Sequence, residues 1–142
     1  MKKTKLITLV LAFSLTTLTI SAVRAHAGAE HGAAAKTEMQ IPDTTEGIMA
    51  EIKKKHEELD ATVKNKKLAD VHHHAFAIRD LAKALPAKTP ADKQTRVQGA
   101  VNNLSKLAED LDTSGDAGDQ ARTESNLKKF DAALAQLEGQ FK

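Results

Sequence analysis

The sequence predicts an all-α protein, an antiparallel up-down-up-down four-helix bundle over residues 42–142. Three observations carry this. Apolar residues recur at steps of three and four in each of four segments. Helix-start and helix-stop residues bracket those segments, and no run shows the two-residue alternation of a half-buried strand.

The first segment opens at Pro42-Asp43, where Asp43 and Glu46 stand at capping-box spacing. Ile48, Ile52, His56, Leu59 and Val63 then form one helical stripe, which the polar run Lys64-Asn65-Lys66-Lys67 ends. Leu68, Val71, His74, Ile78, Leu81 and Leu85 form the second stripe, flanked by Ala75 and Ala82 and closed by Pro86. Thr89-Pro90-Ala91-Asp92 reads as a threonine cap, a proline at the first helical position and an acid in the first turn. The third stripe is Val97, Val101, Leu104, Ala108 and Leu111, with Gly115 as the expected stop. Asp116 or Asp119 caps the last helix, whose stripe is Thr123, Leu127, Phe130, Leu134, Leu137 and Phe141. The turns are too short for a crossover, so consecutive helices are expected to be antiparallel neighbours.

Ahead of the bundle, residues 1–27 read as a cleaved signal peptide. A basic start with Lys2, Lys3 and Lys5 precedes an apolar run from Leu6 to Ile20, and Ala25-His26-Ala27 fits the small-x-small cleavage pattern. The run is shorter than the roughly 20 residues that span a bilayer. Cleavage after Ala25 is the alternative and leaves His26 as the new N-terminus. Residues 28–41, small and polar, read as a flexible leader. Cleavage after Ala27 takes Arg24 with the three lysines and leaves 17 basic against 19 acidic residues, turning a net charge of +2 into −2. The expected location is therefore the periplasm. Nothing in this balance favours nucleic acid or, after cleavage, a membrane. The absence of cysteine excludes thiolate metal sites, thiol catalysis and covalently attached haem; the absence of Trp and Tyr argues against stacking platforms.

The histidines carry the functional signal. His56 interrupts an apolar stripe, with Asp60 one turn on to orient it. In the run His72-His73-His74, a helical wheel puts His74 just inside the buried face, His72 on its margin and His73 outward. Folding the first two helices about a turn near Lys66 brings His56 level with Phe76, one helical turn from His72 and His74. His56 is thus expected to converge with His72 or His74 on one metal ion. Neutral imidazoles suit zinc, copper and nickel, completed by a carboxylate or water. His31 lies in the leader. Met39 and Met49 offer thioethers to Cu(I), although Met49 beside Ile48 and Ile52 is more simply core.

The stretches VHHHAFAIRDLAKALP (Val71–Pro86) and LAEDLDTSGDAGDQ (Leu107–Gln120) carry a resemblance. Through them the chain resembles, from about Ile48 to Phe141, the small histidine-bearing periplasmic helical proteins that accompany copper and other heavy-metal efflux systems in bacteria. The resemblance implies a metal-stress context, with His72 and His74 as the matching positions and His56 beside them.

Other motifs fail. Asp110, Asp112, Ser114 and Gly115 match the first half of an EF-hand, but Ala121 stands where the bidentate glutamate belongs. A haem bundle lacks a ligand, because Met49 has no histidine partner in Gln120–Lys142. Hydrolase, zincin, P-loop and dinucleotide fingerprints are missing, so no enzyme activity is expected. The function expected is that of a periplasmic binding protein for a transition metal ion of the copper or zinc type, acting in sequestration, buffering or sensing, with a metal-efflux component as its protein partner. The alternative is a non-catalytic helical interaction module whose histidines are incidental.

Mass spectrometry of the exported protein is expected to find a chain beginning at Gly28. A chain beginning at His26 overturns the choice of cleavage site and adds an N-terminal amine–imidazole chelate.

Overall fold

A computed structural model describes residues 39–142. The expected signal peptide, His31 and the leader up to residue 38 lie outside the described residues. These fold as four α-helices without a strand: α1 Thr45–Lys64, α2 Val71–Lys83, α3 Ala91–Asp116 and α4 Gln120–Glu138. Single turns of 3-10 helix at Leu68–Asp70, Pro86–Lys88 and Gly139–Phe141 lead into α2, link α2 to α3 and end α4. No helix among the described residues is long and apolar enough to cross a membrane.

Inter-helix bonds show the antiparallel order directly. Along α1 and α4, Val63 meets Gln120 while His56 meets Asp131. Along α3 and α4, Asp110 meets Asn126 while Lys93 meets Gln140. Between α1 and α2, Glu58 meets His74, and at the far end Thr45 donates to the Lys88 carbonyl. In each pair the residue number rises on one helix as it falls on the other, so α4 returns beside α1 and the bundle closes.

The predicted stripes are the core. Ile48, Ile52, Leu59 and Val63 of α1 meet Val71, Ile78 and Leu81 of α2, Val97, Leu104 and Leu111 of α3, and Phe130, Leu134 and Leu137 of α4. Met39, assigned above to the leader, packs against this core with Met49 and Phe141. Asn126 is buried, and its amide donates to the Asp110 carbonyl at 2.9 Å and to Ser114 Oγ at 3.3 Å, which satisfies polar groups on the α3–α4 seam.

Several caps differ from the expected ones. Thr44, extended at φ −110 and ψ 152, caps α1 in place of Asp43, its Oγ1 accepting from the Gly47 N–H at 3.0 Å. Glu46 then falls at the second helical position, where a capping box cannot close. Thr89 does not cap α3: it is buried, and its hydroxyl donates to the Leu85 carbonyl at 2.7 Å. Pro90 takes the capping position, leaving Asp92 in the first turn to face the helix dipole. Asp119 caps α4 by accepting from the Arg122 N–H at 3.0 Å.

The two turns at one end of the bundle share one geometry. After α1, Lys67 N–H bonds to the Thr62 carbonyl and Lys66 N–H to the Val63 carbonyl, with Lys66 left-handed at φ 57. After α3, Asp119 N–H bonds to Ser114 and Gly118 N–H to Gly115, with Gly118 left-handed at φ 66. Both are Schellman closures. Gly118, not the expected Gly115, therefore stops α3.

Gly115 has a different role inside the helix. A Cβ there would lie 2.7 Å from the Leu68 carbonyl oxygen and 3.3 Å from Val71 Cβ. The missing side chain lets the entry to α2 rest on the last turn of α3. Gly115→Ala is expected to lower stability in chemical denaturation by about 1–2 kcal/mol, overpacking outweighing helix propensity. Gly99→Ala, at a helical position whose added Cβ meets nothing within 4 Å, should raise it by roughly 0.5–1 kcal/mol.

Candidate metal centre

Burial of one stripe per helix decides where each histidine points. On α1, Ile48, Ile52 and Leu59 set the centre of the stripe; at 100° per residue His56 and Asp60 fall on one edge and Glu58 on the other. The first edge faces α4. His56 Nε2 lies 2.7 Å from Asp131 Oδ1, and His56, Asp60 and Asp131 each offer a donor atom within 4.8 Å of the other two. All three are half-buried. A groove of about 360 Å³, lined by Asp60, Leu127, Lys128 and Asp131 among others, runs beside them along the α1–α4 seam.

The second edge of α1 faces α2. There His74 Nδ1 lies 3.2 Å from Glu58 Oε2, and the same oxygen accepts from Lys55 Nζ at 2.8 Å. The Lys55 hydrogen bond holds the Glu58 carboxyl below its usual range against the opposing effect of burial, and the Coulombic attraction of Lys55 and His74 adds to the lowering. His74 thus sits against a carboxylate already engaged by a lysine, and it belongs to neither three-donor group found among the described residues.

His72 points the other way. Two residues along a helix turn through 200°, so His72 and His74 lie on opposite edges of the α2 stripe. His72 faces α3, where its ring nitrogen and carboxylate oxygens of Asp112 and Asp116 lie within 4.8 Å of one another. The Phe76 ring stands edge-on at 6.4 Å and itself carries the Arg79 guanidinium at 4.2 Å. His73 is exposed, its ring 3.9 Å from that of His72.

The three histidines proposed from sequence therefore occupy three surroundings: His56 with Asp60 and Asp131, His72 with Asp112 and Asp116, and His74 with Glu58. The structure does not bring His56 together with His72 or His74. Their heights agree with the antiparallel register, as the Glu58–His74 contact shows, but their directions about the helix axes do not. The sequence singles out neither Asp131 nor Asp116 as a ligand and offers Asp112 only to the half-matched EF-hand; Asp131, not Asp60, makes the short bond to His56. Asp112 and Asp116 lie inside α3, so the half-matched EF-hand is not a loop.

Each trio offers one imidazole nitrogen and two carboxylate oxygens, a donor set that suits zinc and other borderline divalent ions. Tetrahedral ligands about 2.0–2.1 Å from a zinc ion stand roughly 3.3 Å apart. An ion at the first trio would replace the proton between His56 and Asp131 and part them by about half an ångström.

No protein-family model matches the chain, and neither the curated proteins nor the solved structures compared with it contain a match. The His56–Asp131 contact is measurable without any ligand, as it joins the first and last helices with side chains 23% and 42% exposed. A double-mutant cycle of His56→Ala and Asp131→Ala in metal-free protein is expected to give a coupling of about 0.5–1 kcal/mol. Additive losses would show that the two side chains do not interact in solution.

Proposed function

We propose that this chain is an exported, periplasmic binding protein for a transition metal ion of the zinc or copper type, which sequesters or buffers that ion without catalysing a reaction on it. The observation that carries this reading is the trio His56, Asp60 and Asp131, whose donor atoms lie within 4.8 Å of one another across the α1–α4 seam. One helix supplies His56 and Asp60 at four-residue spacing, and the facing helix supplies Asp131. A bundle is well suited to this, because helix backbones fix the Cα positions while side chains at the seam keep enough freedom to close on an ion. The basic, apolar and small-residue pattern of residues 1–27 supports export. The resemblance of Val71–Pro86 to proteins that accompany metal efflux supports an efflux component as the recipient of the ion.

Dialysis of the purified protein against Zn(II), Cu(II) and Ni(II), followed by metal analysis, tests the reading. At a hundredfold excess of free ion over Kd, bound metal should stabilise the fold by about 2.7 kcal/mol. His56→Ala and Asp131→Asn should each remove most of the stabilisation contributed by this seam. A protein that retains no metal favours the interaction module instead, and retention that ignores both substitutions overturns the α1–α4 trio as the site.

A further inference from the structure

We infer that the α2–α3 seam holds a second and separate site for a divalent ion of the zinc class, formed by His72, Asp112 and Asp116; the inference rests on the metal-binding reading and extends it to a second ion and a defined donor set. The three donor atoms lie within 4.8 Å of one another, with His72 and Asp112 half-buried and Asp116 exposed. Asp112 and Asp116 stand one turn apart on α3 and aim at one imidazole, the pattern of a chelate presented by one helix to its neighbour.

Three features show that this juxtaposition is built. Gly115 lies between the two aspartates, and its missing Cβ admits the Leu68 carbonyl, which seats the first turn of α2 against the last turn of α3. Phe76 and His73 flank the His72 ring and limit the directions open to it. The electrostatics of α3 are also inverted: its last turn carries no basic residue and holds Asp116 at the negative end of the dipole, with Asp112 one turn before it. Carboxylates placed there raise the local negative potential, which a bound cation relieves. Asp116 is exposed, so the donor set is open to an ion from solvent.

The donor set defines the ion. Carboxylate oxygen with imidazole suits Zn(II) and its borderline divalent neighbours, whereas Cu(I) selects thiolate and thioether. The chain has no cysteine, and Met39 and Met49 pack against the hydrophobic core. The two sites lie on different seams, so neither shares a ligand with the other.

Equilibrium dialysis of the purified protein with Zn(II), with bound metal quantified and helicity checked by circular dichroism, decides the matter. The wild type should bind two equivalents. His72→Ala should bind one, as should the paired change Asp112→Asn with Asp116→Asn, while His73→Ala and His74→Ala keep two. His56→Ala should lose the other equivalent, and Cu(I) supplied under reducing conditions should not bind at the α2–α3 seam. Asp116→Asn alone, at an exposed position that leaves the core untouched, should weaken the second site at least tenfold in Kd. One equivalent in the wild type, lost in His56→Ala and retained in His72→Ala, overturns the second site and leaves the first standing. Equal losses from His72→Ala, His73→Ala and His74→Ala overturn it as binding by a histidine run, and no retained metal at all overturns both sites.

Discussion

The structure depends on one constraint: each helix has a single apolar stripe, and burying all four stripes together fixes how every helix is rotated about its own axis. Turning α1 by one residue's worth of angle would lift part of the Ile48–Ile52–Leu59 row out of the core. Each fully buried aliphatic side chain contributes about 1.5–3 kcal/mol, so such a rotation is strongly resisted. The residues at the edges of the stripes then have no choice of neighbour. His56 and Asp60 must meet α4, Glu58 must meet α2, His74 must meet α1 and His72 must meet α3. These groups therefore fall on three seams, α1–α4, α1–α2 and α2–α3.

Height along the bundle is set separately, by the turns. Two Schellman closures at the same end stop α1 and α3 by hydrogen-bonding their last carbonyls, and each reverses the chain within a few residues. Lys66 adopts a left-handed conformation that glycine favours, while Gly118 adopts it without a Cβ penalty. Gly115 tunes the same end by letting the Leu68 carbonyl approach α3. A change there alters how far α2 stands from α3, and with it the spacing between His72 and its two carboxylates.

The α1–α4 seam combines a structural contact with the donor atoms of the proposed ion site. His56–Asp131 holds the first and last helices together, yet the same atoms are the donors an ion would need. Half-buried contacts of this kind contribute little stability, so giving up this hydrogen bond to an ion would perturb the fold only slightly. The Glu58–His74 contact differs, because Lys55 already occupies the carboxylate and holds it in its charged form. Arg79 and Asp80 on α2 are likewise mutually engaged: burial raises the Asp80 carboxyl, but the Arg79 hydrogen bond and the nearby Lys83 bring it below its usual range. Glu58 and Asp80 are thus held as carboxylates by basic neighbours on their own helices.

The sequence by itself determined the four helices, their stripes, their order and their antiparallel register, because those follow from local periodicity and from turns too short to cross the bundle. It also determined that His73 faces outward and that His56 stands level with the middle of α2. Caps were legible only to within one to three residues: Asp43, Thr44, Thr89 and Gly115 all have the chemistry of helix ends, and the choice among them and their neighbours rests on backbone angles and contacts that residue type does not encode. The tertiary structure alone decided which seam each histidine joins. Asp131 is 75 residues from His56 in sequence and becomes its neighbour only when α4 closes against α1. His72 and His74, two residues apart, part company because a helix turns through 200° between them. Periodicity reports that a residue lies at the edge of a stripe; which helix waits beyond that edge is a property of the closed bundle.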